Sequence, residues 1–192
     1  MNAPFLTRRM TVEEFLAWSD ARAAALPYDE PKWELFDGVP EMQEHERWAH
    51  ARIKYKVMRA LEEAISRAGI PLEAGIDGLG VRVGAHESYQ PEVVVFPAGR
   101  ISDDDRLAPD PVIVVEVLSP STRSKDLNAK AKGCGRVASL LHYLVVDPDT
   151  RHIVHFRRQG VELVADAEPI GKGQLRLDPP GLEVAIAEFF AS

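Results

Sequence analysis

Two carboxylates stand where carboxylates are costly. In "PVIVVEVLSPST" (residues 111–122) Glu116 interrupts an aliphatic, mostly β-branched run, and in "QPEVVVF" (residues 90–96) Glu92 opens another. Runs of this composition read as strands buried on both faces. An ionised carboxylate taken out of water must be protonated, paired or bound to a metal. Strand alternation sets Val112, Val114, Glu116 and Leu118 on one face, and Glu92, Val94 and Phe96 likewise share a face. If the two strands are neighbours, the acids converge, and one stays protonated unless a cation joins them. A divalent cation is the simplest solution. Mg²⁺ is commonly held by one or two carboxylates, waters and a substrate phosphate.

Plainer readings fit the same residues. A carboxylate at a strand end can be solvated at the sheet edge or paired with an arginine. Lys130 follows Asp126 by four positions, the spacing of a surface ion pair on a helix. His50 lies three and seven positions before Ile53 and Val57, so it shares their apolar face as a core histidine would. Glu34, in "KWELFDG", can lie on the solvated side of its strand, and "DDD" at 103–105 reads as a solvated loop. Cys134 reads as a small buried hydrophobe, with no general base beside it.

The elements that must position these groups follow from local pattern. Thr11 with Glu14 three residues later forms a capping-box pattern ahead of Val12, Phe15, Leu16, Ala23 and Leu26, which predicts a helix over about 12–26. "KWELFDG" predicts a short strand ended by Gly38 and Pro40. "RWAHARIKYKVMRALEEAISRAG" repeats Ile53, Val57, Leu61 and Ile65 every four residues and ends at Gly69, the clearest helix in the chain. "PLEAGIDGLGVRVG" predicts two short strands around an Asp-Gly turn, and "YQPEVVVFP" and "VIVVEVL" predict one strand each. "SPSTRSKDLNAKAKG" reads as a helix with Ser119 or Ser121 as its cap. "LLHYLVVDPDTRHIVHFRRQG" reads as a hairpin turning at "DPDT", "GVELVADAE" as a further strand and "IAEFFAS" as a terminal helical turn. Helices interspersed with hairpin-linked strands give an α/β (α+β) fold, a mixed sheet covered by helices.

Bulk properties bound the function. The 192 residues are 45% hydrophobic and 28% charged, which is globular composition, and suffice for one domain with its own core. A single cysteine excludes an internal disulfide and suggests a cytoplasmic setting. "MNAPFLTRRM" has no apolar segment of a secretory leader, and no apolar run approaches the roughly 18 residues of a membrane helix. The net charge of −7 argues against an overall basic nucleic-acid footprint, though not against a local basic groove.

Taken in order, "WELFDG", "WAHARI", "QPEVVVF", "PVIVVEVLSPSTRSKD" and "LLHYLVVDPD" resemble the Uma-two family of restriction endonucleases, within the PD-(D/E)XK nuclease superfamily. The resemblance spans about residues 10–190, and "VEVLSPST" followed by D-x-x-x-K is its most specific block. It implies one domain over 1–192: an N-terminal helix at about 12–26, a restriction-endonuclease-like core at about 32–158 and a C-terminal β/α extension to 192. It implies Glu34, Glu92, Glu116, Lys130 and His50 as catalytic residues, and Glu92, Glu116, the Val117 carbonyl and Glu34 as holders of Mg²⁺, with Mn²⁺ as a substitute. The reaction implied is hydrolysis of DNA phosphodiester bonds by a metal-activated water, in a cytoplasmic homodimer.

One position departs from the superfamily pattern, and two places depart from that of the family. The usual superfamily lysine would fall at Leu118, and the family's helical lysine matches Lys130 instead. Glu92 stands where the family usually has Asp, and the added methylene extends its reach by about 1.5 Å. "KAKGCGR" puts Gly133 and Gly135 in the helix that carries Lys130, at about 1 kcal/mol each relative to Ala, and is expected to fray or shorten it. These departures motivate a rival: a nuclease fold that has lost catalysis and serves as a nucleic-acid-binding or interaction module.

Overall fold

The computed structural model describes residues 8–25, 31–43, 47–118 and 126–191. Leu26 and the two serines expected as caps, Ser119 and Ser121, lie outside them. The elements, in chain order, are α1 (Val12–Ala25), β1 (Trp33–Phe36), β2 (Val39–Met42), α2 (Trp48–Ala68), β3 (Leu72–Ile76), β4 (Val81–Gly84), β5 (Glu87–Tyr89) and β6 (Val93–Pro97). Then come β7 (Ile113–Val117), α3 (Asp126–Cys134), β8 (His142–Asp147), β9 (His152–Gln159), β10 (Glu162–Ala165), β11 (Gln174–Leu177), β12 (Leu182–Ala185) and α4 (Ile186–Phe190).

A six-stranded sheet in the order β10-β9-β8-β7-β6-β3 forms the centre. Only β7 and β8 run parallel within it, and the connection between them carries α3. The other neighbours are antiparallel, so the sheet is mixed, as expected from the sequence. A parallel pair requires a long crossover, and α3 supplies it. Alternation along β7 sends Ile113, Val115 and Val117 into one core, with Ile53, Val57, Leu61 and Ile65 of α2, the β11–β12 hairpin and Phe189 of α4. Val114 and Leu118 face the other core, with Ala131 and Cys134 of α3, Val94 and Phe96 of β6, and Val81, Val83 and Tyr89 of a smaller sheet. Both faces of β7 are therefore covered, which its unbroken β-branched run requires.

The smaller sheet has the order β2-β1-β5-β4. Its second strand from the edge carries Glu34. Helix α1 clamps that strand: Val12 and Phe15 pack on Leu35, and Trp18 meets Trp33 edge to face at 4.9 Å between ring centroids. The expected capping box is present, with the Thr11 N–H donating to Glu14 Oε2 at 2.9 Å and the Glu14 N–H to Thr11 Oγ1 at 3.3 Å. Helix α2 ends as expected at Gly69, left-handed at φ 64°, whose N–H donates to Ile65 O at 3.0 Å.

Several expectations are corrected. The first strand stops before Gly38, as expected, but Pro40 is no strand end: it lies within β2, at the edge of its sheet, where a missing N–H costs no ladder bond. The strands on either side of Asp77-Gly78 do not pair with each other. β3 joins β6 in the large sheet and β4 joins β5 in the small one. "YQPEVVVFP" is two strands rather than one, parted at Gln90-Pro91, where the chain passes from one sheet to the other. β11 and β12 carry no expectation from the sequence, and together they close the core under α2. Gly133 does not break α3, which runs through it to Cys134 and keeps Lys130 in regular helix.

Candidate functional site

Glu116 faces α3 from the last turn of pleat in β7, and Lys130 of α3 points back at it. The Lys130 ammonium donates to Glu116 Oε1 at 3.3 Å and to Glu34 Oε1 at 3.0 Å. All three side chains are buried, Glu34 almost completely at 1% exposure. Glu34 Oε1 also accepts the Gln90 N–H at 2.7 Å, while Glu34 Oε2 is buried with no hydrogen-bond partner among the described residues. The solvated reading of Glu34 is thereby corrected. So is that of Lys130 as a surface partner: its ammonium lies inside the protein, because two carboxylates there need a cation.

A second group meets at the same end of the sheet. His50 of α2 sits 2.7 Å from Val117 O through Nε2. A carbonyl only accepts, so this nitrogen carries the proton. The same Nε2 is 4.0 Å from Glu92 Oε1. Lys54, one turn further along α2, reaches Glu92 Oε2 at 3.1 Å and Asp77 Oδ2 at 2.8 Å, and Lys32 reaches Asp77 Oδ1 at 3.1 Å. Glu92 Oε2 is buried without an aligned hydrogen bond, so its contact with Lys54 is one of charge. Burial raises the Asp77 carboxyl, but the bond from Lys54 and the charge of Lys32 outweigh it and hold Asp77 below the usual range.

The two groups form one site. Val93 pairs with Val115 and Val94 with Val114, which brings Glu92, just ahead of β6, to the same end of the sheet as Glu116. Val117, whose carbonyl His50 holds, follows Glu116 directly, and Gln90, which binds Glu34, precedes Glu92 by two. The site thus gathers every side chain anticipated from the sequence: Glu34, His50, Glu92, Glu116 and Lys130. Sequence reading missed Lys54 and Asp77. A signal for Lys54 existed, since a lysine beside Ile53 on the apolar stripe of a helix is as costly as Glu116 in its strand. Asp77 is in a turn, and nothing local marks it.

Cys134 and Tyr89 flank the cluster without the means to react. Burial, then the charge of Glu116, pushes the Cys134 thiol up, so it stays protonated. Burial raises the Tyr89 phenol to about 12. Tyr89 packs over Gly133, where an added Cβ would lie 2.5 Å from its hydroxyl oxygen. That contact accounts for a glycine inside the helix that bears Lys130.

The donor chemistry suits a hard divalent cation. The available groups are carboxylate and carbonyl oxygens, and Glu34 Oε2 and Glu92 Oε2 are buried oxygens without hydrogen bonds among the described residues. As they stand, the carboxylates are shared with lysine ammoniums, and among the described residues no three His, Cys, Asp or Glu side chains form a metal-holding group.

A family model described as Uma2, putative restriction endonuclease, matches residues 12–187, which include every residue of this site. The chain belongs to the Uma2 family. Its fold is that of a crystallised protein from Anabaena variabilis ATCC 29413, described as a putative nuclease belonging to DUF820. The two share 21% identity over 95% of this chain and 98% of the other, with a TM-score of 0.68. No curated protein matches the chain. Among the described residues, no helix of this Uma2 protein is long and apolar enough to cross a membrane. The family and the fold are the ones that the resemblance implied.

Proposed function

We propose that this Uma2 protein is an Mg²⁺-dependent endonuclease that hydrolyses DNA phosphodiester bonds. One observation supports the reading: Glu116, buried at the end of a central strand, shares the Lys130 ammonium with Glu34, while His50, which donates to the carbonyl of the next residue, Val117, lies 4.0 Å from Glu92. Purely structural ion pairs seldom justify this many buried charges, since burying them is weak support for stability. Functional sites do justify them.

Glu92, Glu116 and the Val117 carbonyl would hold the cation, with Glu34 beside them. Mg²⁺ would supply the charge that activates water and offsets charge growing on the phosphoryl oxygens. The protein's own groups do the rest. Lys130, fixed by two carboxylates, presents a preorganised positive charge to the phosphate at no reorganisation cost. His50 holds the Val117 carbonyl in place. The two cores on either side of β7 keep the strand rigid, so the acids stay in register.

The rival reading, a nuclease fold serving as a non-catalytic binding module, draws support from Lys54, which already neutralises Glu92. One assay separates the two. Purified protein is incubated with plasmid or single-stranded DNA and Mg²⁺ or Mn²⁺, alongside Glu116→Ala. Cleavage by the wild type and none by the variant is expected. Equal cleavage by both would remove Glu116 from the mechanism, and DNA binding without cleavage would favour the module.

A further inference from the structure

Lys54 is a buried cation that the proposed chemistry does not use. Its side chain is 4% exposed, and its ammonium lies between two acids, 3.1 Å from Glu92 Oε2 and 2.8 Å from Asp77 Oδ2. We propose that Lys54 is an internal counter-cation for Glu92, and that a divalent ion loads onto the site only by displacing its ammonium toward Asp77. The inference rests on Glu92 being a metal-holding residue.

Three features support displacement over a fixed structural pair. First, like charges repel strongly where water is excluded, so an ammonium touching Glu92 weakens any divalent cation on the same carboxylate. Second, the ammonium has a place to go. Asp77 is held as a carboxylate by Lys54 and Lys32, and with a side chain 43% exposed it can keep Lys54 solvated and paired. The Asp77 N–H donates to Glu92 O at 3.3 Å, so the backbones that carry the two acids are tied together beside the lysine. Third, the two lysines of the site differ in their anchors. Lys130 is shared by Glu34 and Glu116, both almost wholly buried. Lys54 alone has an acid that opens toward solvent. The same lysine keeps Glu92 neutralised before metal arrives, so the metal-free protein tolerates its acids. The metal threshold of this nuclease is then set by a residue on α2 rather than by the carboxylates alone.

The test is direct Mn²⁺ binding, by calorimetry and by the electron paramagnetic resonance signal of free Mn²⁺. It uses the full chain and its Lys54→Met, Lys54→Gln, Lys54→Arg and Glu116→Gln variants. Removing the charge in Lys54→Met is expected to tighten Mn²⁺ binding by about tenfold or more. Lys54→Arg, which keeps the charge, should bind as the wild type does. If Lys54→Met does not fold, Lys54→Gln decides, because it retains a hydrogen-bond donor between the two acids. Unchanged or weaker binding in the neutral variants, with binding abolished in Glu116→Gln, would overturn the role of Lys54 and leave the nuclease reading standing. Absence of Mn²⁺ binding in every protein would overturn both.

Discussion

Lys130 donates to Glu34 at 3.0 Å across 96 positions of sequence. This bond ties the small sheet to the crossover helix, and it does so through the residue that also neutralises Glu116. The proposed nuclease site and the junction between the two sheets are therefore one structure, and changes made for chemistry will also be read as changes in stability.

Lys130→Met is the first case. It leaves Glu34 and Glu116 buried without their shared cation, and breaking a buried pair in this way costs about 3–5 kcal/mol. Thermal and urea unfolding should show that loss. Adding Glu34→Gln to Lys130→Met should recover part of it, since one uncompensated charge is gone. Simple additivity of the two changes would show that the pair is not coupled.

Gly133→Ala pits two effects against each other. Alanine gains about 1 kcal/mol of helix propensity over glycine. Its methyl, however, would meet the Tyr89 hydroxyl oxygen at 2.5 Å and ring carbons at 2.6 and 2.9 Å. Tyr89 is buried and stacked on Phe36 at 4.8 Å between centroids, so it has little room to retreat. Overpacking of this kind costs about 1–3 kcal/mol, so net destabilisation is expected. In a Tyr89→Leu background the same substitution should cost less. A Gly133→Ala protein more stable than the wild type would refute the contact.

Acid stability is governed in part by a histidine pair remote from the proposed chemistry. His142 Nε2 donates to Pro179 O at 2.6 Å, and His142 Nδ1 lies 2.9 Å from His155 Nε2. Burial, together with the neighbouring His142, lowers His155 to about 4, against the pull of Asp166. Between that value and the ordinary histidine range the unfolded chain binds the extra proton and the folded chain does not. Stability is therefore complete above about pH 6.5 and declines as the pH falls toward 4. Melting temperatures from pH 7 to 4.5 should fall less steeply for His155→Phe than for the wild type. An identical slope would place the acid sensitivity elsewhere.

Much of the site was legible in the chain because burial leaves a local mark. Glu116 inside a β-branched run, Glu92 at the head of another and His50 on an apolar helix face each announce a polar group in a dry place. The same physics applied to Lys54, on the stripe of Ile53 and Val57, but a long aliphatic stem lets lysine read as a surface residue. Glu34 was ambiguous for a different reason. A strand of four residues has two faces, and which one is dry depends on what packs there.

Local pattern was enough for the mixed fold, the helices, the capping box ahead of α1, the glycine stop of α2, the acids beside two apolar strands and the family. These follow from periodicity, capping chemistry and ordered motifs, all of which act over a few residues. Tertiary structure alone decided that β3 and β4 part into different sheets, that Glu34 is buried, and that Lys130 and Lys54 each hold two acids. The reason is the range of the forces. Hydrogen-bond ladders and caps are local, whereas a buried charge takes whichever opposite charge the packed core brings within reach, and no spacing along the chain encodes that choice.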